Sequence, residues 1–250
     1  MPAEATQARI RLPELAARIG AEMIPLGERI RYFSVLPLGE EEVRQYATDP
    51  VNALPPAILD ELPRIDLILA PYLERGNGRG DFVCFERPPE NRQIFSSRAV
   101  AGDVATIAVA FKDEDLADYH YSFYGVLAAT VAGKEHPKAL APYSKLLRSE
   151  LSAEAHGEVD EQSWKAKQNL LRRSASTRTQ KDSKLYQTYL RQSLTDTLVL
   201  YLHGICCDID VETGPRQLAS SYLRRRLELL VSVYPPPKDY QVLPDTPRKR

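Results

Sequence analysis

Between Tyr119 and Tyr234 five segments repeat apolar residues at intervals of three and four, a period that packed α-helices satisfy and strands do not. The clearest runs from Leu185 to Leu202, with Tyr186, Leu190, Leu194, Leu198 and Tyr201 on one stripe. A stripe of that width has to be covered by other apolar surface, so the C-terminal half is expected to be a helical assembly. Tyr119 to Ala132 is apolar almost all round, which predicts a central buried helix. Lys138 to Leu151 and Gln162 to Arg173 read as amphipathic helices. Leu218 to Tyr234 sets Leu223, Leu227, Leu230, Val231 and Tyr234 on one face. Arg224, Arg225 and Arg226 interrupt that face and are expected to meet water or a partner. Pro235, Pro236 and Pro237 end the helix, since proline cannot continue it.

The front half carries shorter signals. Leu12 to Ile19 reads as a helix and Arg29 to Val35 as a strand. Glu40, Glu41 and Glu42 follow Gly39 and predict a helix start, because carboxylates favour the positive end of the helix dipole. Beyond Pro55 and Pro56, the residues Ile58, Leu62, Ile65, Leu69 and Tyr72 recur at helical spacing. Pro63 and Pro71 predict a kink in that helix or its division in two. The run RGNGRG, Arg75 to Gly80, stops it. Asp81 to Arg87, Arg92 to Ser97 and Val104 to Phe111 read as strands with short connections. The fold class expected is therefore α+β and helix-dominated, with a small antiparallel three-stranded meander (about 81–111) packed against a largely helical C-terminal half. The reading gives one globular domain over 1–234, with 133–138 as the best place for a cut, and an extended proline-rich basic tail over 235–250.

Composition excludes some classes of protein. With 43% hydrophobic and 27% charged residues the chain can bury a core, so disorder throughout is excluded. No stretch approaches the roughly 18 apolar residues of a membrane-spanning helix. The polar start, Met1 to Ile10, lacks the apolar core of a signal peptide. Only three cysteines occur, Cys84, Cys206 and Cys207, too few for a disulfide framework. A reducing, cytoplasmic setting is expected. The net charge of −1 hides an asymmetry: Met1 to Glu161 carries −9, Gln162 to Arg191 +7, Gln192 to Thr213 −4 and Gly214 to Arg250 +5. A basic back either steers an anionic partner or is simply a solvated face of one sign.

The densest chemistry is the group His203, Gly204, Cys206, Cys207, Asp208 and Asp210. Imidazole, thiolate and carboxylate all ligate divalent metals, but adjacent cysteines diverge, whereas structural zinc sites separate theirs by about two to four residues. A histidine near a thiol can also make a nucleophile. The competing reading buries Ile205 to Ile209, with Gly204 as a cap and cysteine as a small hydrophobe. His120, His136 and His156 are scattered, no HExxH occurs, and His120 in its aromatic run reads as a hydrogen-bonded core residue. RGNGRG is followed by a strand and lacks GK[ST], so it reads as a tight turn and not as a phosphate loop. The basic stretch from Lys165 to Arg191, with Trp164 beside it, also holds Tyr186 and Tyr189, and Ser174 to Thr179 reads as a linker. Cations neutralise phosphates and aromatics stack on unpaired bases, so this stretch is a candidate interface.

Two functions follow. The preferred one is a non-enzymatic regulatory or accessory binding protein that engages nucleic acid or an acidic protein surface, with no cofactor and no metal. Its contact residues are Trp164, Lys165, Lys167, Arg172, Arg173, Arg178, Lys181, Lys184, Arg224 and Arg225. The alternative is an intracellular hydrolase, metal-dependent or not, using His203, Cys206, Asp208 and Asp210.

Overall fold

The computed structural model describes residues 9–78, 80–172, 183–206, 216–238 and 240. It is α+β, about 50% helix and 19% strand, with mixed sheets and with helices in the C-terminal half. The chain forms two compact units: Met1–Asn52 with Leu62–Val126, and Ala53–Glu61 with Leu127–Arg250.

The first unit is built on a five-stranded sheet with order β2-β3-β4-β9-β8. Its strands are β2 (Ile24–Pro25), β3 (Ile30–Ser34), β4 (Arg64–Ala70), β8 (Ser96–Ala101) and β9 (Val104–Ala110). β3, β4 and β9 run parallel, with Tyr32 opposite Leu67 and Ile68 opposite Ala108. The edge strands β2 and β8 are antiparallel to their neighbours. A four-stranded antiparallel sheet, order β1-β6-β5-β7, joins β1 (Arg9–Arg11), β5 (Tyr72–Glu74), β6 (Phe82–Cys84) and β7 (Gln93–Ile94). Helix α1 (Leu12–Ile19) lays Leu12, Leu15 and Ile19 on a cluster with Ile68, Ala70, Leu73, Val83, Ala108 and Ala110.

Two sequence expectations are corrected here. The segment from Ile58 to Tyr72 is not one kinked helix. A short helix ends at Glu61, before Pro63, and Arg64–Ala70 is the central parallel strand. Its four last residues are all buried, as a strand covered on both faces requires, and an apolar run of that kind imitates helical spacing by chance. Four strands, not three, lie within 81–111, and they do not make one meander. β6 pairs with β1 and β5, and β7 with β5, while β8 and β9 pair with each other in the other sheet. The small residues of β9, buried on both faces, let it accept β4 along its other edge. In the run RGNGRG, whose Arg79 lies outside the described residues, Gly78 and Gly80 have φ of 69° and 92°, and a Cβ on Gly76 would lie 1.9 Å from the Gly80 carbonyl oxygen, so glycine is required as the turn reading expected.

After β3 come α2 (Glu40–Val43), a π-helical turn (Arg44–Thr48) and α3 (Asp49–Asn52). Glu42 folds back to accept the Gly39 N–H at 2.8 Å, which caps α2. The π turn displaces backbone carbonyls from their helical partners. Side chains of α5 (Leu116–Ala132) meet this stretch: the Tyr119 hydroxyl donates to the Tyr46 carbonyl at 2.6 Å, His120 Nε2 lies 2.9 Å from that of Gln45, and the Tyr124 hydroxyl donates to Pro50 at 3.1 Å. A carbonyl only accepts, so His120 carries its proton on Nε2. It is the buried, hydrogen-bonded histidine that its aromatic setting predicted.

The second unit contains α4 (Pro56–Glu61), α6 (Leu140–Ser152), α7 (Glu161–Leu171), α8 (Lys184–Cys206) and α9 (Ser220–Val233). The stripe Tyr186, Leu190, Leu194, Leu198 and Tyr201 is buried in α8 as its period required. Residues 241–250, most of the expected tail, lie outside the described residues.

Candidate functional site

The helical unit has a polar centre. Arg226, the largest fully buried side chain among the described residues, sits on α9 beside Leu223, Leu227 and Leu230, which form the same inward stripe. The expectation that it would face water is therefore wrong: helical period outweighs charge at this position. Its Nε and Nη2 donate to Glu150 Oε2 on α6 at 3.0 and 2.7 Å. Its Nη1 and Nη2 donate to the two oxygens of Glu158 at 2.7 and 3.1 Å. Nη1 also donates to Ser193 Oγ on α8 at 3.0 Å. The planar guanidinium thus spends its fork on two carboxylates from different elements.

Glu158 is fixed through its backbone as well as its side chain. Its N–H donates to the Arg216 carbonyl, and its carbonyl accepts from Leu218 N–H, both at 3.0 Å. Gly157 makes this crossing possible, with a φ of 80° and so little room that a Cβ would meet the Gln217 carbonyl oxygen at 2.1 Å. The Glu158 carboxylate also accepts from the Tyr189 hydroxyl and, at 3.3 Å, from Ser193 Oγ. Burial works against its charge, but the Arg226 guanidinium and the Lys167 ammonium more than offset this and hold its carboxyl below the ordinary range.

Lys167 is the fourth charge. It lies on the inward face of α7 and is 2% exposed. Its Nζ donates to the carbonyls of Ala155 and Gly157 at 2.7 and 2.8 Å and stands 3.5 Å from Glu158 Oε1. Burial pulls the ammonium below its ordinary value. Two cations and two carboxylates make the cluster neutral overall, which is how buried ions are tolerated. Around it, the Tyr143 hydroxyl contacts Ser193 Oγ and Thr197 Oγ1 at 3.0 and 2.7 Å, with its phenol pushed up to about 12 by burial.

The start of α7 is capped twice. Asp160 accepts from Gln162 N–H at 3.3 Å, and Asp196 of α8 accepts from Ser163 N–H at 3.0 Å. Burial pushes the Asp196 carboxyl up. α7, with the last turn of α6 and the loop after it, surrounds a pocket of about 460 Å³. Leu151, His156, Trp164, Lys167, Gln168 and Leu171 line it. The His156 and Trp164 rings meet edge to face at 5.2 Å.

The anticipated contact residues divide into three groups. Lys165, Arg172, Lys184, Arg224 and Arg225 are exposed, although Lys165 is paired with Glu161 at 3.0 Å and Arg225 lies over the Tyr222 ring at 4.5 Å. Trp164 is half-buried in the pocket wall, and Lys167 is buried, its ammonium donating to the Ala155 and Gly157 carbonyls. Arg173, Arg178 and Lys181 lie outside the described residues. Of the group suggested for catalysis, His203 is buried in the last turn of α8 and Cys206 is its final residue, half-buried. Cys207, Asp208 and Asp210 lie outside the described residues. Among the described residues no three His, Cys, Asp or Glu side chains are arranged to hold a metal, and no helix is long and apolar enough to cross a membrane.

The sequence reading missed Glu150, Glu158 and Arg226. A signal was there for two of them. Tyr143, Leu147 and Glu150 continue one stripe on α6, as Leu223, Arg226 and Leu230 do on α9. Glu158 sits in a loop, where no period applies. No protein-family description, curated protein or solved structure matches the chain.

Proposed function

We propose that the protein is a non-enzymatic binding or accessory protein whose helical unit engages an anionic partner, nucleic acid or an acidic protein surface. One observation supports this reading above the others. The unit matches its buried cations Lys167 and Arg226 with Glu150 and Glu158 internally, while Arg172, Lys184, Arg224 and Arg225 stay at the surface. Arg224 and Arg225 are adjacent on α9, facing solvent beside the inward Arg226. Such cations neutralise phosphates or carboxylates without needing a shaped pocket. Of the four residues of the hydrolase reading, His203 and Cys206 are described, and Asp208 and Asp210 lie outside the described residues.

The test is a fluorescence-anisotropy titration of the full chain against a labelled single-stranded oligonucleotide and against polyglutamate. Binding at low salt is expected, weakening with a log–log slope of about −0.7 for each single-strand phosphate contacted. Arg224→Glu combined with Arg225→Glu should weaken it by about tenfold or more. Absence of binding to both polyanions at low salt overturns the reading.

A further inference from the structure

We propose that the pocket between the end of α6 and α7 binds a small monocarboxylate with an apolar body, its carboxylate directed at Lys167. The proposal does not rest on the polyanion reading, which concerns other side chains.

The volume of about 460 Å³ lies within the roughly 300–1,000 Å³ of small-molecule sites. Leu151 of α6 with Trp164 and Leu171 of α7 supply apolar wall for a chain or ring. The charge of the pocket is set by which member of the buried cluster reaches it. Lys167 lines the pocket together with Ala155 and Gly157, whose carbonyls hold its ammonium, whereas Glu150, Glu158 and Arg226 do not line it. The Lys167 side chain is 3% exposed. Two of its N–H groups are spent on the Ala155 and Gly157 carbonyls. In the third direction Glu158 Oε1 stands at 3.5 Å, long for a hydrogen bond. A carboxylate oxygen arriving from the pocket would give that ammonium a closer partner. It would also restore part of the solvation that burial removes.

Secondary groups fit the same ligand. Gln168 lines the wall one residue beyond Lys167 and can donate its side-chain amide. Lys165, Gln168 and Arg172 follow each other along α7 at steps of three and four, so exposed cations flank this amide. Glu154 is the carboxylate on the wall, and it is exposed to solvent, where its repulsion is screened. A single buried ammonium matches a singly charged carboxylate. A phosphate dianion is better served by several cations or by a helix N-terminus.

The chain has one tryptophan, and it lines the pocket, so its emission reports occupancy directly. Titration with octanoate should shift Trp164 fluorescence saturably, at one equivalent by calorimetry. 1-Octanol, which has the same chain and no charge, should bind about tenfold more weakly, the worth of one charge-assisted hydrogen bond. Lys167→Met should erase that preference. Because this change also strips Glu158 of a partner, Leu171→Trp serves as a second variant. It fills the pocket from a half-exposed position and should abolish binding of both compounds while circular dichroism is unchanged. A folded wild-type protein with no saturable shift overturns the proposal. So does equal affinity for octanoate and octanol, or binding that persists in Leu171→Trp. Arg224→Glu with Arg225→Glu should leave octanoate binding intact, which separates failure here from failure of the polyanion reading.

Discussion

The two units bury charge in opposite ways. In the sheet unit the centre is apolar: Ile65, Leu67, Ile68 and Leu69 on β4 and Ile107, Ala108 and Val109 on β9 are sealed. A guanidinium–carboxylate pair of that unit, Arg31 with Asp66 across β3 and β4, has both partners partly exposed, at 34% and 15%. In the helical unit the same chemistry sits at the centre, where Arg226, Glu150 and Glu158 have essentially no exposure. Sheet ladders satisfy their own backbone and ask only for apolar cover. The loop at Gly157–Glu158 is held both by its backbone, paired with Arg216 and Leu218, and by the charges of Arg226 and Lys167 on its carboxylate. That arrangement has a cost in desolvation, and it makes the helical unit more vulnerable to a single substitution.

The sharpest way to break this contrast is Arg226→Leu. It leaves Glu150 and Glu158 buried without their cation, and urea unfolding should show a loss of about 3–5 kcal/mol. In the sheet unit the largest comparable effect is a cavity. Ile68→Ala should cost about 2–5 kcal/mol by the same measurement, through lost packing alone and without pH dependence near neutrality. Gly157→Ala comes next. A non-glycine residue at that φ costs about 1–3 kcal/mol, and the approach to Gln217 adds to it, so thermal melting should fall by several degrees. Smallest is Arg31→Ala. Its pair with Asp66 is chemically the same as that of Arg226, yet half-solvated, and the loss should stay within about 1 kcal/mol. A loss equal to that of Arg226→Leu would erase the distinction between the units.

Acid sharpens the comparison further. The Glu158 carboxyl is held below its ordinary value of 4.5 in the folded protein, so its contribution is complete above that value. It disappears as pH falls through the lower, folded-state value, because the unfolded chain takes up the proton first. Stability measured from pH 6 downward should therefore decline below about 4.5. Glu158→Gln should be less stable at neutral pH and should show a shallower decline. An identical acid profile in the variant would mean that other carboxylates control acid unfolding.

The placement of the helices of the C-terminal half was legible in sequence because it depends on local period. Leu12–Ile19 and the stripe of α8 emerged as read, and the strand at Ile30–Ser34 followed from simple alternation. Arg64–Ala70 was not legible, since a strand covered on both faces shows an unbroken apolar run with no period of its own. The candidate site was legible only in part. Trp164 and Lys167 were singled out as contacts; both line the pocket, Lys167 buried and Trp164 half-buried, which no pattern in the sequence marks.

The chain's composition and periodicity alone determined that it is helix-dominated α+β, with a helical C-terminal half and its apolar stripes inside. Those properties depend on neighbours three or four positions apart, and such neighbours are visible in one dimension. Only the tertiary structure decided which charges are available to a partner. Helical period marks Arg226 as the inward member of the three arginines, but it meets Glu150 across 76 positions and Glu158 across 68, and no local rule foretells those partners. The reason is desolvation: an ion leaves water only where the fold supplies an opposite charge, and that supply is a property of packing, not of sequence order.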